Sequence, residues 1–348
     1  MLKADSIKKN MPILSENFTQ KICIVTGGAG FIGSELVRQL SAAGAQVHVI
    51  DNLVNGKREN IAELPNVTLH ELDIRNPAVR DLLPGAAVVF HLACLGVRHS
   101  IHAPHENHSV NATATLQLLD WARAAGVGRF VYVSSSEVYG TAQFVPMPES
   151  HPTYPLTVYG ASKLAGECYT RAFYHTYGYP TVVVRPFNAY GPRCHHEGDS
   201  GEVIPKFILR SLAGLPLVVF GDGTQTRDFT FVSDTARGIL LAGSTQAAVG
   251  RTINLGNGQE IQIADLAHLV ADITAQPVSV MHIEPRPGDV LRLYADSTLA
   301  SELLGFEPQV SLRSGLQQLL AWYQNSGHSV TTLLQQEVVR NWEKAGHG

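Results

Sequence analysis

Residues 21–26, KICIVT, form an apolar, β-branched run that leads directly into GGAGFIG and then into the helical pattern SELVRQLSAAG. This junction constrains the fold more than any other part of the chain. Gly27, Gly30 and Gly33 repeat every three residues between a predicted strand and a predicted helix. In such a turn the backbone can approach a pyrophosphate closely and offer it amide hydrogens at a helix N-terminus. A strand that feeds a helix in this way belongs to a parallel sheet, because each parallel crossover needs a helix to return the chain.

The rest of the first half repeats that alternation. QVHVID (46–51), VTLHELD (67–73), AAVVFHLA (86–93), RFVYVSS (129–135) and PTVVVRPFN (180–188) read as further strands, with helical patterns between them. NATATLQLLDWARAAG reads as a helix stopping at Gly126. The expected fold is therefore α/β, a doubly wound parallel sheet of Rossmann type with a smaller C-terminal substrate-binding region. Four segments are expected. Residues 1–20 are a flexible arm, and 21–188 form the dinucleotide-binding domain with the catalytic residues. Residues 189–323 mainly select the substrate, with FTFVSDTARGILLAG and TINLGN able to rejoin the first domain, and 324–348 form a helix or tail.

Composition excludes several classes. Apolar runs stay at strand length, short of the roughly 20 residues that span a bilayer, so no membrane partner is expected. Lys plus Arg total 26 against 30 Asp plus Glu, a formal charge of −4, which offers no basic face for nucleic acid. The N-terminal stretch mixes lysines and acids where a signal peptide would be uninterruptedly apolar. Cys23, Cys94, Cys168 and Cys194 lie far apart without a CxxC pair. They read as reduced, buried or half-buried thiols in a cytoplasmic protein.

The second strand ends in Asp51, 18 residues after Gly33. A carboxylate there can accept from both hydroxyls of an adenosine ribose and repels a 2′-phosphate, which selects NAD over NADP. In YGASK, Tyr159 and Lys163 are four apart and share one helix face. A phenol is a poor base at neutral pH, but a neighbouring ammonium and a positive nicotinamide favour the phenolate. RFVYVSS also delivers Ser134, Ser135 and Ser136 to the C-terminal end of a strand, where ligands of such sheets collect.

TGGAGFIG, YGASK and SSSEVYG together resemble the extended branch of the short-chain dehydrogenase/reductase superfamily, which acts on nucleotide sugars. The resemblance runs from Lys21 to Tyr323. It implies Ser135 as the catalytic hydroxyl, Tyr159 as base and Lys163 as its partner, with Asn111 as a supporting asparagine. It places Asp73 and Ile74 beside the adenine, and His91, Leu92 and Ala93 on the path to the nicotinamide. Phe31, Ile32, Asn52 and Pro186 complete the expected cofactor set. On the substrate side the resemblance implies Asn188 and Arg227 at the diphosphate, and Arg286 with Asp289 at the nucleoside. Arg98 and Ser136 are expected to touch the sugar. It also implies a homodimer through helices near 111–125 and 159–177.

Such an enzyme oxidises a sugar hydroxyl to a bound ketone, whose fate then depends on neighbouring groups. Family 4,6-dehydratases carry an Asp-Glu pair after the catalytic Thr, whereas here Ser136 precedes Glu137. Ser-Glu is similar to the pattern of UDP-glucuronate decarboxylases. VRHSIHAPHENHSVN, ESHPTYPLTVYGASK and RPGDV resemble 4-epimerases more. The expectation is a 4-epimerase of a UDP-hexose first, a decarboxylase using Glu137 second, and a dehydratase third. An NAD-binding regulatory protein is the alternative of another class.

His99, His102, His105 and His108 recur every three residues and His195 adjoins His196. Pro104 interrupts the first set and no Cys or carboxylate group completes a tetrahedral site, so no metal is expected. A loop over the sugar, with Arg98, His99 or Ser100 touching substrate, suits the first set. His195 and His196 read as solvated, and the acids from Asp228 to Asp234 can be read as ordinary surface turn residues.

Overall fold

The computed structural model describes residues 17–343, apart from 278 and 287. In chain order the first half contains β1 (Ile22–Thr26), α1 (Phe31–Ala42), β2 (Gln46–Asp51), β3 (Val67–Glu71) and β4 (Val88–His91). Then come α2 (Val97–His102), α3 (Pro104–His108), α4 (Ala114–Ala124), β5 (Phe130–Val133), α5 (Val158–Tyr177) and β6 (Thr181–Pro186). These six strands and β10 (Thr252–Leu255) form a parallel sheet of seven, in the order β10-β6-β5-β4-β1-β2-β3. β1 lies centrally, and the chain reverses direction across the sheet between β1 and β4. That reversal opens the crevice in which α/β sheets hold ligands.

The second half adds β7 (Asn188–Tyr190), α6 (Val203–Leu212), β8 (Leu217–Phe220), β9 (Thr226–Phe231), α7 (Val232–Ser244), β10 (Thr252–Leu255) and β11 (Glu260–Gln262). It ends with α8 (Ile263–Thr274), β12 (Val280–Ile283), α9 (Thr298–Leu304), α10 (Leu312–Gln324) and α11 (Val330–Leu334). β10 pairs with β6 and α7 packs against α1, so these two segments belong to the cofactor-binding layer despite their place in the chain. β11-β9-β7 and β12-β8 form two small sheets that carry the substrate side.

Of the expected N-terminal arm, residues 1–16 lie outside the described residues. The last four are tied to the fold rather than free. Phe18 is 1% exposed against Phe90, and Gln20 N donates to Gly44 O. Burying that aromatic ring is favourable enough to hold this end of the chain on the core. The helix expected from Asn111 begins instead with a wide turn of π type over Ser109–Thr113. Cys168 is exposed, contrary to its reading as buried or half-buried. Among the described residues no helix is long and apolar enough to cross a membrane.

Candidate active site

One cleft of about 560 Å³ runs from the β1–α1 turn past the ends of β4 and β5 to α6, β8 and β9. Two glycines of the turn show why side chains are absent there. Gly27 has φ +69°, and a Cβ on it would meet Ala93 N at 2.7 Å. A Cβ on Gly33 would lie 2.0 Å from Gly27 O. The turn and helix therefore close up only with glycine, and the bare backbone they present, facing Asp51, fits a dinucleotide.

Asp51 is 7% exposed and lines the cleft. Its Oδ2 accepts from Ala29 N (3.0 Å) and its Oδ1 from Leu53 N (2.9 Å). Burial pushes its carboxyl above the usual range, and these two amides oppose the shift. Asp73, held by both guanidinium ends of Arg75 and by Asn52 Nδ2 (3.2 Å), forms the rim, its carboxyl drawn down to about 2 mainly by Arg75. Phe31, Ile32, Ile74, Leu92, Ala93 and Pro186 line the same cleft.

Two expected cofactor residues do not line it. Asn111 is 1% exposed, and its amide is spent on the backbone of Leu95. Leu95 N donates to Oδ1 (2.8 Å), and Nδ2 donates to Leu95 O (2.9 Å) and to Asn107 Oδ1 (3.1 Å). It shapes the 92–96 loop from behind. His91 is likewise buried, between Thr26 Oγ1 (2.7 Å) and Thr115 Oγ1 (2.9 Å). Burial drives its pKa down to about 3, so it stays neutral.

The catalytic side chains come from two neighbouring elements. Ser135 follows β5 and caps the next turn, its Oγ accepting from Glu137 N (3.2 Å). Tyr159 sits in the first turn of α5, whose N-cap Thr157 accepts from Gly160 N. The Ser135 and Tyr159 side chains line the same part of the cleft. Burial raises the Tyr159 phenol well above its ordinary value, Cys94 adds to the shift, and the neighbouring Ser135 hydroxyl opposes it. One turn on, the Lys163 ammonium donates to Val133 O (2.6 Å) over the face of Tyr132. Burial lowers its pKa.

A buried network fixes the frame behind them. Glu167, on α5, receives Ser134 Oγ (2.6 Å) and both arms of Arg185 from β6 (2.8 and 2.6 Å). Arg185 also donates to the Tyr139 hydroxyl (2.7 Å), which donates to Asn254 Oδ1 on β10 (2.7 Å). All three serines line the cleft, but the Ser134 hydroxyl is committed to the scaffold through Glu167.

On the substrate side Arg227 and Arg286 both donate to Asp289 Oδ1, the former at 2.7 Å. Arg98 lines the cleft with a buried Nε that meets no hydrogen-bond partner among the described residues, and Asn188 has a buried Oδ1 in the same condition. An unpaired buried donor and acceptor in one cleft suit a polar ligand. Burial and Arg286 pull Arg98 down to about 10, against Glu202, Glu137 and Asp289. Glu137 also lines the cleft, and burial raises its carboxyl against Arg227, Arg286 and Arg98.

Sequence reading missed Glu202, Lys206 and Arg210, which α6 and its N-cap bring to the cleft wall, and Glu337 from the C-terminal segment. No motif marks them, although three sit on or beside one amphipathic helix. His195 also lines the cleft and His196 is 5% exposed, so neither is solvated as expected. Ser100 turns inward, Oγ donating to Val97 O (2.6 Å), while His102 meets Asp199 (3.2 Å). Asp228, read as a surface residue, is fully buried and accepts from the backbone of Asn257, Gly258 and Ala295.

The profile of the NAD dependent epimerase/dehydratase family matches residues 23–256. The UDP-glucose 4-epimerase of Mycolicibacterium smegmatis is 37% identical over 309 residues, 87% of this chain and 98% of that protein. UDP-glucuronic acid decarboxylase 1 of Arabidopsis thaliana is 34% identical over 309 residues, 87% of this chain and 69% of that protein. Among solved structures, the dTDP-glucose 4,6-dehydratase DesIV of Streptomyces venezuelae, determined with NAD and TYD bound, superposes with a TM-score of 0.83. It is 34% identical, over 88% of this chain and 98% of that one.

Proposed function

The chain belongs to the NAD-dependent epimerase/dehydratase family, and on that premise we propose that it inverts C4 of a nucleotide-linked hexose, a UDP-sugar, through a transient 4-keto sugar. The observation that carries this reading is that Ser135, Tyr159 and Lys163 line one cleft with the glycine cradle and the Arg227–Asp289–Arg286 cluster.

Gly27, Gly30, Gly33, Asp51 and Asp73 would hold NAD, which supplies a reversible hydride acceptor at the sugar carbon. Tyr159 takes the proton from the C4 hydroxyl as the ketone forms and returns it on reduction. Ser135 hydrogen-bonds the same oxygen. Lys163 lowers the cost of the phenolate by its charge. Inversion requires the keto sugar to present its other face, so the diphosphate must stay anchored while the sugar turns. Arg227 suits that anchoring, since guanidinium groups bind phosphate oxygens in pairs. Arg286, expected at the nucleoside, is drawn beside Arg227 by the shared Asp289 carboxylate.

Glu137 supports a second reading. A carboxyl in the cleft, two residues beyond Ser135, suits decarboxylation of a UDP-glucuronate at the ketone stage, and the sequence similarity to a decarboxylase points the same way. A third fate, dehydration, lacks an acid at Ser136. Incubation with UDP-glucose, UDP-N-acetylglucosamine and UDP-glucuronate in turn, with NMR of the products, separates the three. A C4-inverted sugar supports the proposal; a pentose with CO2, or a 4-keto-6-deoxy sugar, replaces it. Bound NAD without turnover of any nucleotide sugar supports the regulatory reading.

A homodimer through α4 and α5 is part of the proposal. Leu116 and Tyr177 on these helices are 39% and 55% exposed. Light scattering of the purified protein tests it.

A further inference from the structure

The cleft has a wall that the catalytic proposal does not use. After α11 the chain runs back across the substrate side as a strap of turns, residues 335–343. It is tied to three separate elements. On α6, Arg210 Nη1 donates to Glu337 Oε2 (2.8 Å) and Lys206 Nζ to Val338 O (2.8 Å). On the loop before α6, Gly198 N donates to Gln336 O (3.0 Å), and Asn341, 4% exposed, donates from Nδ2 to Gly201 O (3.0 Å). Across the end of β8, the Trp342 ring meets Phe220 edge-on at 4.9 Å.

These ties leave alternate side chains, Glu337, Val339 and Asn341, in the cleft lining. Val339 is 36% exposed there, an apolar side chain held in a charged cleft by polar anchors on either side. Val218 and Phe220 of β8 line the same cleft. The glycine cradle and Asp51 account for a dinucleotide, Ser135 and Tyr159 for a reacting hydroxyl, and the arginines for a diphosphate. Flat apolar surface of this kind remains, and it suits the ring of a nucleobase with its ribose.

We propose that the strap reads the nucleoside end of the nucleotide sugar, Val339 forming the face against which the base and ribose pack. The inference rests on the nucleotide-sugar reading and extends it to residues outside the matched family profile. The strap stands on anchors to α6 and β8, so it sets affinity for the nucleotide without touching the reacting hydroxyl.

The test is calorimetric titration of UDP, without any sugar, into the full-length protein and into Val339→Trp, with bound NAD and thermal unfolding measured in parallel. Because Val339 is partly exposed, the larger ring should leave folding intact while filling the slot. UDP affinity should fall by about tenfold or more, with NAD content and melting temperature unchanged. Asn341→Ala, which releases the strap from Gly201, should weaken UDP in the same direction. Unchanged UDP affinity in Val339→Trp overturns the role of the strap. Failure of the unmodified protein to bind UDP overturns instead the nucleotide-sugar reading on which it rests.

Discussion

Asp51 and Ala29 are joined by a 3.0 Å hydrogen bond from the backbone nitrogen of the glycine turn to the carboxylate at the end of β2. The acid expected to meet a ribose is thus also a brace for the loop that meets a pyrophosphate. Asp51→Ala should strip the acceptor from the buried amide of Ala29, at about 1–3 kcal/mol, and from the half-buried amide of Leu53, at less. It should lower both the melting temperature and NAD affinity. Asp51→Asn, which keeps one carbonyl acceptor and loses the charge, should instead narrow the preference for NAD over NADP. Paired titrations with the two cofactors check this.

Tyr159→Phe should retain NAD and lose turnover by about 10²–10⁴-fold. The phenol is raised by burial, so its basic form grows as pH rises, and turnover should climb through the alkaline range rather than level off near neutrality. Lys163→Met should carry that limb to still higher pH. A profile of kcat against pH for the three proteins tests the assignment.

Glu137→Gln separates the reactions open to the ketone. For a C4 inversion the carboxyl is a bystander, and turnover should stay within about tenfold, since no proton is delivered from it. A decarboxylase using this acid should lose far more. Product NMR with UDP-glucuronate gives the answer directly.

Lys206 is drawn down to about 8 by burial and by Arg98. Its positive charge is therefore present below that pH and lost above it. KM for an anionic nucleotide sugar should rise as pH passes about 8, and Lys206→Gln should show the high KM at every pH. The slope of KM against pH in the two proteins is the measurement.

Arg185→Met leaves Glu167 without its bidentate partner in a fully buried site. Arg171 Nη1 still reaches Glu167 Oε2 at 3.0 Å, so the loss should fall below the ~3–5 kcal/mol of an uncompensated buried charge. Urea unfolding should record that loss, and turnover should fall as well, because Ser134 and α5 lean on the same carboxylate.

Much of the fold was legible because it is written locally. Strand runs, the glycine turn and the four-residue spacing of Tyr159 and Lys163 each carry their own period. β10 and α7 were harder to place, since their partners β6 and α1 lie far away in sequence and only the closed sheet brings them together. The site divides in the same way. Gly27, Asp51, Ser135 and Tyr159 sit in motifs. Glu202, Lys206 and Glu337 are charged residues without a pattern, and they acquire meaning only when α6 and the C-terminal strap enclose one cleft. Asn111 was placed in the right neighbourhood, but its amide, within the wide turn over Ser109–Thr113, is bonded to Leu95 behind the cleft wall.

Asp289 holds Arg227 and Arg286 on a single oxygen. The carboxylate is a resident counter-ion: it keeps two guanidinium groups from repelling each other and from wandering into solvent before any ligand arrives. Under the proposed function, an incoming diphosphate then exchanges one anionic partner for another instead of drawing two bare cations together. Capture of the nucleotide becomes a substitution within an ordered charge triad, and its dependence on salt should be gentler than a count of two arginines implies.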